Sequence, residues 1–335
     1  RFYGPLAQAN VVANMLFGAI SGSGVAAAAA VGGTISPIEE REGYDKRFSS
    51  AVNISSAPTG MLIPPSNTLI VYSTVAGSVS ALFIAGYLPG ILWGFGVMTV
   101  AGIMAKKLKY KSEGNINVKQ IVKIVLDAIP SLLLIIIVIG GILKGVFTAT
   151  EGSAIAVVYS LIYREMKLSD LPKIFLSSAQ MTAIVIFMIG VSSIMSWVMA
   201  FANIPQKIAE LLLGVTDSKI IILIIMNIIL LLIGTFMDPT PAVLIFNPIF
   251  LPIVERFGMT PVHFGIMLVF NLCIGTITPP VGPILFTGCK VGQVSIEDVF
   301  KWLLPFYTVT ILILFLVTFI PSFSLILPQA FGLIK

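Results

Sequence analysis

Residues 60–68 read Gly60-Met61-Leu62-Ile63-Pro64-Pro65-Ser66-Asn67-Thr68, and residues 275–282 read Gly275-Thr276-Ile277-Thr278-Pro279-Pro280-Val281-Gly282. Each stretch interrupts an apolar run, Phe48 to Ala76 in the first case and Phe264 to Gly292 in the second. Proline lacks the N–H, and its ring collides with the preceding turn, so two in succession cannot sit inside a continuous helix. Both runs are expected to unwind here. The two Pro-Pro pairs stand 215 residues apart, and the same shift aligns more than prolines. It pairs Pro37 with Pro252, Ile38 with Ile253, Glu40 with Glu255, Arg41 with Arg256, Gly43 with Gly258, Gly60 with Gly275 and Gly77 with Gly292. Eleven identities fall between 35–80 and 250–295 without a gap; roughly three or four would arise by chance at ordinary residue frequencies. They are mostly Pro, Gly and charged residues rather than the Leu and Ile common to all membrane helices, which marks an internal repeat.

The composition fixes the solvent. Of 335 residues, 57% are hydrophobic and 10% charged, against roughly 25% charged in soluble domains. So few charges cannot cover a water-soluble globule of this size. A cytosolic enzyme, a disulfide scaffold and a disordered chain are excluded, and an all-α polytopic membrane protein in a lipid bilayer remains. The net charge of +5 comes from Lys and Arg in short polar gaps. Cytoplasmic loops look like this, so no nucleic-acid partner is expected. Cys273 and Cys289 lie in apolar stretches and His263 is the single histidine, so a His/Cys metal cluster is out of reach. There is no P-loop and no acid/base cluster. No enzyme activity and no cofactor are expected, and an ion gradient is the natural energy source.

The runs then give topology. Ala81 to Ala105, Ile124 to Phe147, Phe175 to Phe201 and Trp302 to Ile320 are long enough to span a bilayer. Tyr3 to Pro37 is interrupted by Ser21-Gly22-Ser23-Gly24, and Ile220 to Val254 by residues Gly234 to Thr240. Each is read as a re-entrant hairpin, two arms meeting at a polar tip. The charged gap Glu39 to Arg47 and the lysine-rich gap 106–123 fall on one side, read as cytoplasmic; the gap 255–261 falls on the other. The repeats are therefore inverted. The expected division is 1–80 and 217–295 as two halves of one domain, each a hairpin plus a broken helix, with 81–216 and 296–335 as scaffold. Because the second copy starts near residue 120, symmetry expects about 95 residues ahead of Arg1.

Paired hairpin tips and paired breaks would build one pocket at the bilayer midplane. Exposed carbonyls there suit Na⁺ and helix N-termini suit an anion. The first half offers Ser21, Ser23, Gly60, Ile63, Pro65, Ser66, Asn67 and Thr68. The second offers Gly234, Asp238, Thr240, Gly275, Thr276, Thr278 and Pro280. Asp238, the one acid inside a hairpin, is a functional candidate and equally a helix N-cap. Asn53, Asn227, Asn247 and Asn271 are read as interhelical hydrogen-bonding residues, and His263 as an interface residue.

Six segments resemble a known family. Gly22-Ser23-Gly24-Val25-Ala26, Gly43-Tyr44-Asp45, Ile63-Pro64-Pro65-Ser66, Asp238-Pro239-Thr240, Pro261-Val262-His263-Phe264-Gly265 and Thr278-Pro279-Pro280-Val281-Gly282 look like the large M (DctM-type) subunit of TRAP transporters. The resemblance implies an ion-transporter-superfamily fold of elevator type in a bacterial or archaeal inner membrane. It implies Na⁺-coupled uptake of an organic acid, such as a C4-dicarboxylate or sialic acid. It also implies a small membrane subunit (Q type) and a periplasmic substrate-binding protein (P type). The sodium ligands it implies map onto Ser21, Ser23, Gly60, Ile63 and Pro65, and onto Gly234, Asp238, Gly275, Thr278 and Pro280. Ser66, Asn67, Thr68, Thr240 and Thr276 are left for the substrate. Two departures stand out: Ala27, where many members carry Asp, and Ser66-Asn67-Thr68, which is closer to the related stand-alone sodium/dicarboxylate symporters. The latter are the alternative reading.

Overall fold

The computed structural model describes residues 3–74, 77–110, 126, 129–130, 133–134, 136–138, 140–142, 146–163, 167–215 and 218–334. The expected span Ile124 to Phe147 and the gap 106–123 lie partly outside them. Every regular element among the described residues is helical. They are α1 (Pro5–Ser21), α2 (Gly24–Arg41), α3 (Lys46–Ser56), a 3-10 turn (Ala57–Met61), α4 (Asn67–Ser73) and α5 (Val79–Lys107). Then come α6 (Ala149–Ile162), a short 3-10 turn (Leu168–Asp170), α7 (Leu171–Phe201) and α8 (Ile204–Val215). The chain ends with α9 (Lys219–Phe236), α10 (Pro239–Glu255), α11 (Pro261–Gly275), α12 (Pro283–Gly292), α13 (Ile296–Phe319) and α14 (Ser322–Ala330).

Local chemistry sets the boundaries. Gly22, at φ 62°, turns the chain out of α1, a conformation that costs a side chain with Cβ. The Ser23 hydroxyl then accepts from the Ala26 N–H at 3.3 Å and starts α2. Asp238 caps α10 in the same way, accepting from the Thr240 N–H at 3.0 Å. Asp45 caps α3 and Thr260 caps α11. Both pairs of caps, Ser23/Asp238 and Asp45/Thr260, are related by the shift of 215 seen in the sequence. That shift carries α1 and α2 onto α9 and α10 to within one residue at each end, and the starts of α3 and α4 onto those of α11 and α12, which run four residues further.

The chain forms two compact units, residues 1–112 with 194–335, and residues 113–193. In the larger one, α1 packs on α2 and on the 3-10 turn, and α9 packs on α11. The halves also exchange partners: α2 lies on α12, and α10 lies on α4. The Tyr72 hydroxyl of α4 donates to the Pro261 carbonyl of α11 at 2.6 Å. Helix α5 backs the first half and α13, and Trp93 of α5 stacks on Phe270 at 4.6 Å between ring centroids. In the smaller unit Thr148 and Glu151 form a reciprocal cap at the start of α6, and the Tyr159 hydroxyl donates to the Pro130 carbonyl at 2.7 Å.

Among the described residues, α5, α9 and α13 are each long and apolar enough to cross a membrane. They expose Phe95, Ile103, Leu232, Phe236, Leu312 and Leu316. Apolar outer faces of this extent fit hydrocarbon rather than water, and the chain is a helical membrane protein.

Three sequence expectations need correction. His263 is buried, with Nε2 2.7 Å from the Val317 carbonyl of α13, because the cap at Thr260 starts α11 early and turns the ring inward. Glu39 is not a solvated loop residue: α2 continues through Pro37 to Arg41 and carries Glu39 into the interior. Asn247 is buried but makes no hydrogen bond, unlike Asn53, Asn227 and Asn271.

Candidate ion and substrate site

In each half the hairpin tip touches the break of the following helix, and glycine makes the contact possible. A Cβ on Gly60 would stand 2.2 Å from the Gly18 Cα and 2.6 Å from the Ala19 nitrogen. A Cβ on Gly275 would stand 2.4 Å from the Gly234 Cα. These are backbone-on-backbone approaches that no side chain could enter. A Cβ on Gly22 would meet the Asn67 side-chain nitrogen at 2.8 Å, and the Gly282 N–H donates to the Thr235 carbonyl at 3.0 Å. Gly18, Ala19 and Gly60 thus meet at one junction, with Gly22, between Ser21 and Ser23, against Asn67, and Gly234, Gly275 and the chain leading to Gly282 meet at the other. The junctions are neighbours: a Cβ on Gly24 would stand 2.3 Å from the Ile284 side chain, and Cys273 Sγ lies 3.9 Å from Met61 Sδ.

The breaks leave main-chain oxygens free. Leu62 and Ile63 both donate to the Thr59 carbonyl. No N–H among the described residues answers the carbonyls of Ile63, Pro64 and Pro65. The carbonyls of Thr278, Pro279 and Pro280 are free in the same way. Both Pro-Pro bonds are cis. Unpaired carbonyls aimed from an unwound helix are the kind of ligand a Na⁺ ion takes.

The side chains divide by what they already do. The Ser66 hydroxyl donates to the Met61 carbonyl and accepts from the Leu69 N–H, tying the first break together. Thr276 does likewise in the second: its hydroxyl donates to the Cys273 carbonyl at 2.6 Å, and its own carbonyl accepts from Ile284 and Leu285. Thr278 donates to Ile274, and the Ser21 hydroxyl is engaged with the Ser23 main chain. Thr68 is buried and its hydroxyl has no partner. Thr240, Ile63, Pro65 and Thr278 are half-buried, while Asn67, Asp238 and Pro280 are exposed. Asp238 therefore serves as an N-cap, and its carboxylate also reaches solvent at the tip.

Sequence reasoning missed Gly18, Thr235 and Tyr307, whose hydroxyl donates to the Ile277 carbonyl beside the second break. Gly18 carries a signal, a glycine inside an apolar helix. It escapes the repeat because its counterpart, Gly234, stands one residue out of the 215 register.

Comparison with known proteins identifies the family. Residues 1–323 match the family model described as "Tripartite ATP-independent periplasmic transporter, DctM component". The protein YgiK of Salmonella typhimurium is 53% identical over 99% of this chain and 78% of its own length. The C4-dicarboxylate TRAP transporter large permease protein DctM of Pseudomonas aeruginosa is 38% identical over 98% of this chain and 79% of its own. The sialic acid TRAP transporter large permease protein SiaM of Vibrio cholerae is 32% identical over 98% and 78%. These matches make it a transport protein and not an enzyme: the chain belongs to the DctM family of TRAP transporter large permeases.

Proposed function

We propose that this chain is the sodium-coupled permease of an organic-acid importer. It works in the inner membrane with a small membrane subunit and receives its substrate from a periplasmic binding protein. The observation that carries the reading is the doubled junction, a glycine-seated hairpin tip against a helix break with free carbonyls, once in each half. One Na⁺ is held by Ser21, Ser23, Gly60, Ile63 and Pro65. A second is held by Gly234, Asp238, Gly275, Thr278 and Pro280. The substrate carboxylate lies between them, near Ser66, Asn67, Thr68, Thr240 and Thr276, where the unpartnered Thr68 hydroxyl is a ready donor. The substrates named for the two permease relatives, a C4-dicarboxylate and sialic acid, are both carboxylates, which supports an acid as cargo. Residues 1–80 and 217–295 move as an elevator against 81–216 and 296–335.

The test is uptake into proteoliposomes. The full-length permease and its small subunit are reconstituted, and labelled organic acids are offered with and without an inward Na⁺ gradient and the binding protein. Uptake that needs both is expected. Uptake that needs neither Na⁺ nor the binding protein overturns the proposal. Uptake with Na⁺ alone would favour a stand-alone symporter, the reading that Ser66-Asn67-Thr68 suggests.

A further inference from the structure

Glu39 is an acid that no junction and no ion pair uses. It sits in the last turn of α2, at the base of the first hairpin and outside the long apolar spans, and it is fully buried. Neither carboxylate oxygen has a hydrogen-bond partner. The Asn10 amide nitrogen of α1 and the Ser49 hydroxyl of α3 are likewise buried and unpartnered. Burial pushes the carboxyl up to about 7 from the usual carboxylate range, against a smaller lowering from the nearby Ser49 and Asn10.

The second half supplies the comparison. The shift of 215 places Val254 of α10 at the position of Glu39, and Val254 is also fully buried. The architecture therefore fills this position with hydrocarbon when packing alone decides. A carboxylate there costs free energy and adds nothing to packing, which points to a use for it.

The surroundings leave the group without a fixed counter-charge. Helix α1 and the 3-10 turn carry no titratable residue. From α3 come Lys46, paired with Glu40 at 2.9 Å, and Arg47, paired with Asp45 at 2.5 Å. From α12 come Cys289 and Lys290, and from α2 and the turn after it Glu40, Arg41, Glu42 and Tyr44. Tyr44, raised chiefly by its own burial, also senses the Glu39 charge. Among the described residues no Lys or Arg pairs with Glu39. A pocket of about 90 Å³ between α2, α3 and α12 reaches Ser49 and is lined by Gly33, Ser36, Glu40, Tyr44 and Gly292. Lys46 also lines it and Glu39 does not, so the carboxyl meets this pocket only if α2 moves.

We propose that Glu39, with Asn10 and Ser49, is a proton-binding site at the base of the first hairpin. The carboxyl holds its proton while α2 is seated on α1 and α3. It releases that proton, RCOOH to RCOO⁻ and H⁺, when α2 shifts and water reaches it. Any effect of this proton on transport rests on the function proposed above; the site itself does not.

The test is infrared difference spectroscopy of the full-length permease purified with its small subunit, titrated between about pH 5.5 and about pH 8.5. A carboxylic-acid C=O band is expected to disappear through neutral pH. It should be absent in Glu39→Gln and intact in Glu40→Gln. Glu39→Val, which borrows the residue of the second half, should fold and also lack the band. The proposal is overturned if no band titrates in this window, if the band persists in Glu39→Gln, or if saturating Na⁺ abolishes it at constant pH. In proteoliposomes the pH dependence of organic-acid uptake should flatten in Glu39→Gln. If no acid is taken up under any condition, the functional reading fails while the infrared band still decides the site.

Discussion

Adding one methyl group at Gly60 tests the junction directly. In Gly60→Ala the new Cβ would stand 2.2 Å from the Gly18 Cα, 2.3 Å from its carbonyl carbon and 2.6 Å from the Ala19 nitrogen. Carbon atoms in contact prefer about 3.5–4.0 Å, so the hairpin must retreat by roughly 1.5 Å. All three obstacles are backbone, so no rotamer change relieves the clash. Overpacking of this kind typically costs about 1–3 kcal/mol, which lowers the population of the seated hairpin by roughly 5- to 150-fold. The same retreat would draw Ser21 and Ser23 away from Ile63 and Pro65. Gly33→Ala is the matched control, because nothing lies within 4 Å of its added Cβ; alanine there should be neutral or gain up to about 1 kcal/mol of helix propensity. The assay is thermal unfolding of the purified complex with and without Na⁺, alongside uptake. The expected result is a lower Tm, weaker stabilisation by Na⁺ and at least about fivefold slower uptake for Gly60→Ala, with Gly33→Ala unchanged. Gly275→Ala should behave like Gly60→Ala, since it strikes Gly234 in the same manner. Equal Tm, equal Na⁺ response and equal uptake in both alanine variants would refute the claim that these glycines seat the tips.

Three further outcomes follow from particular contacts. Because burial raises Glu39 to about 7, the folded chain binds its proton more tightly than the unfolded chain. The associated stability is complete below the ordinary carboxylate pKa and is lost as pH rises through about 7. The loss is at most about 3 kcal/mol, so Tm should fall from mildly acidic to mildly alkaline pH, and Glu39→Gln should remove that slope. Asn14 Nδ2 lies 2.9 Å from Asn10 Oδ1, 3.0 Å from Asn53 Oδ1 and 2.8 Å from Ser56 Oγ, all buried, and its two N–H groups serve two of these three acceptors at a time; Asn14→Ala removes both donors and should cost about 2–4 kcal/mol in denaturant or thermal unfolding. Asp238→Ala should lose the α10 cap and about 1 kcal/mol, while Asp238→Asn should keep the cap; a weaker Na⁺ dependence of uptake in Asp238→Asn at unchanged Tm would assign the carboxylate to the ion.

The fold was legible wherever the backbone itself had to change. Pro64-Pro65 and Pro279-Pro280 cannot be helical, Gly22 must turn, and the shift of 215 relates four pairs of helices and two pairs of caps. Side-chain direction was far less legible. Glu39 stands in a run of charges, Glu39-Glu40-Arg41-Glu42, and looks like a loop residue; only the continuation of α2 past Pro37 rotates it inward. His263 misleads for the same reason at the opposite end of a helix. The site residues were found as positions rather than as roles. The sequence cannot tell that the Ser66 and Thr276 hydroxyls are spent on holding the breaks together while Thr68 is free, because that depends on which carbonyls the unwound segments present.

The exchange of packing between the halves restricts how the hairpins can move. A displacement confined to α1 and α2 would strip α2 from α12, where Gly24 lies against Ile284 and Gly32 against Val291. It would also part Gly24 from Met61 of the 3-10 turn. A displacement confined to α9 and α10 would strip α10 from α4, which the Tyr72 bond ties to α11. Close-packed interfaces of this kind do not deform continuously. Each hairpin is therefore bound to the broken helix of the other half as well as to its own. Under the elevator motion proposed above, the four segments would travel together; a tip opening alone would have to swing on its glycine contact while its base stays packed. The first motion leaves Glu39 enclosed between α1 and α3, and the second leaves it enclosed as well. Only a shift of the α2 base against α1 and α3 opens it, so titration of Glu39 would report a motion distinct from both.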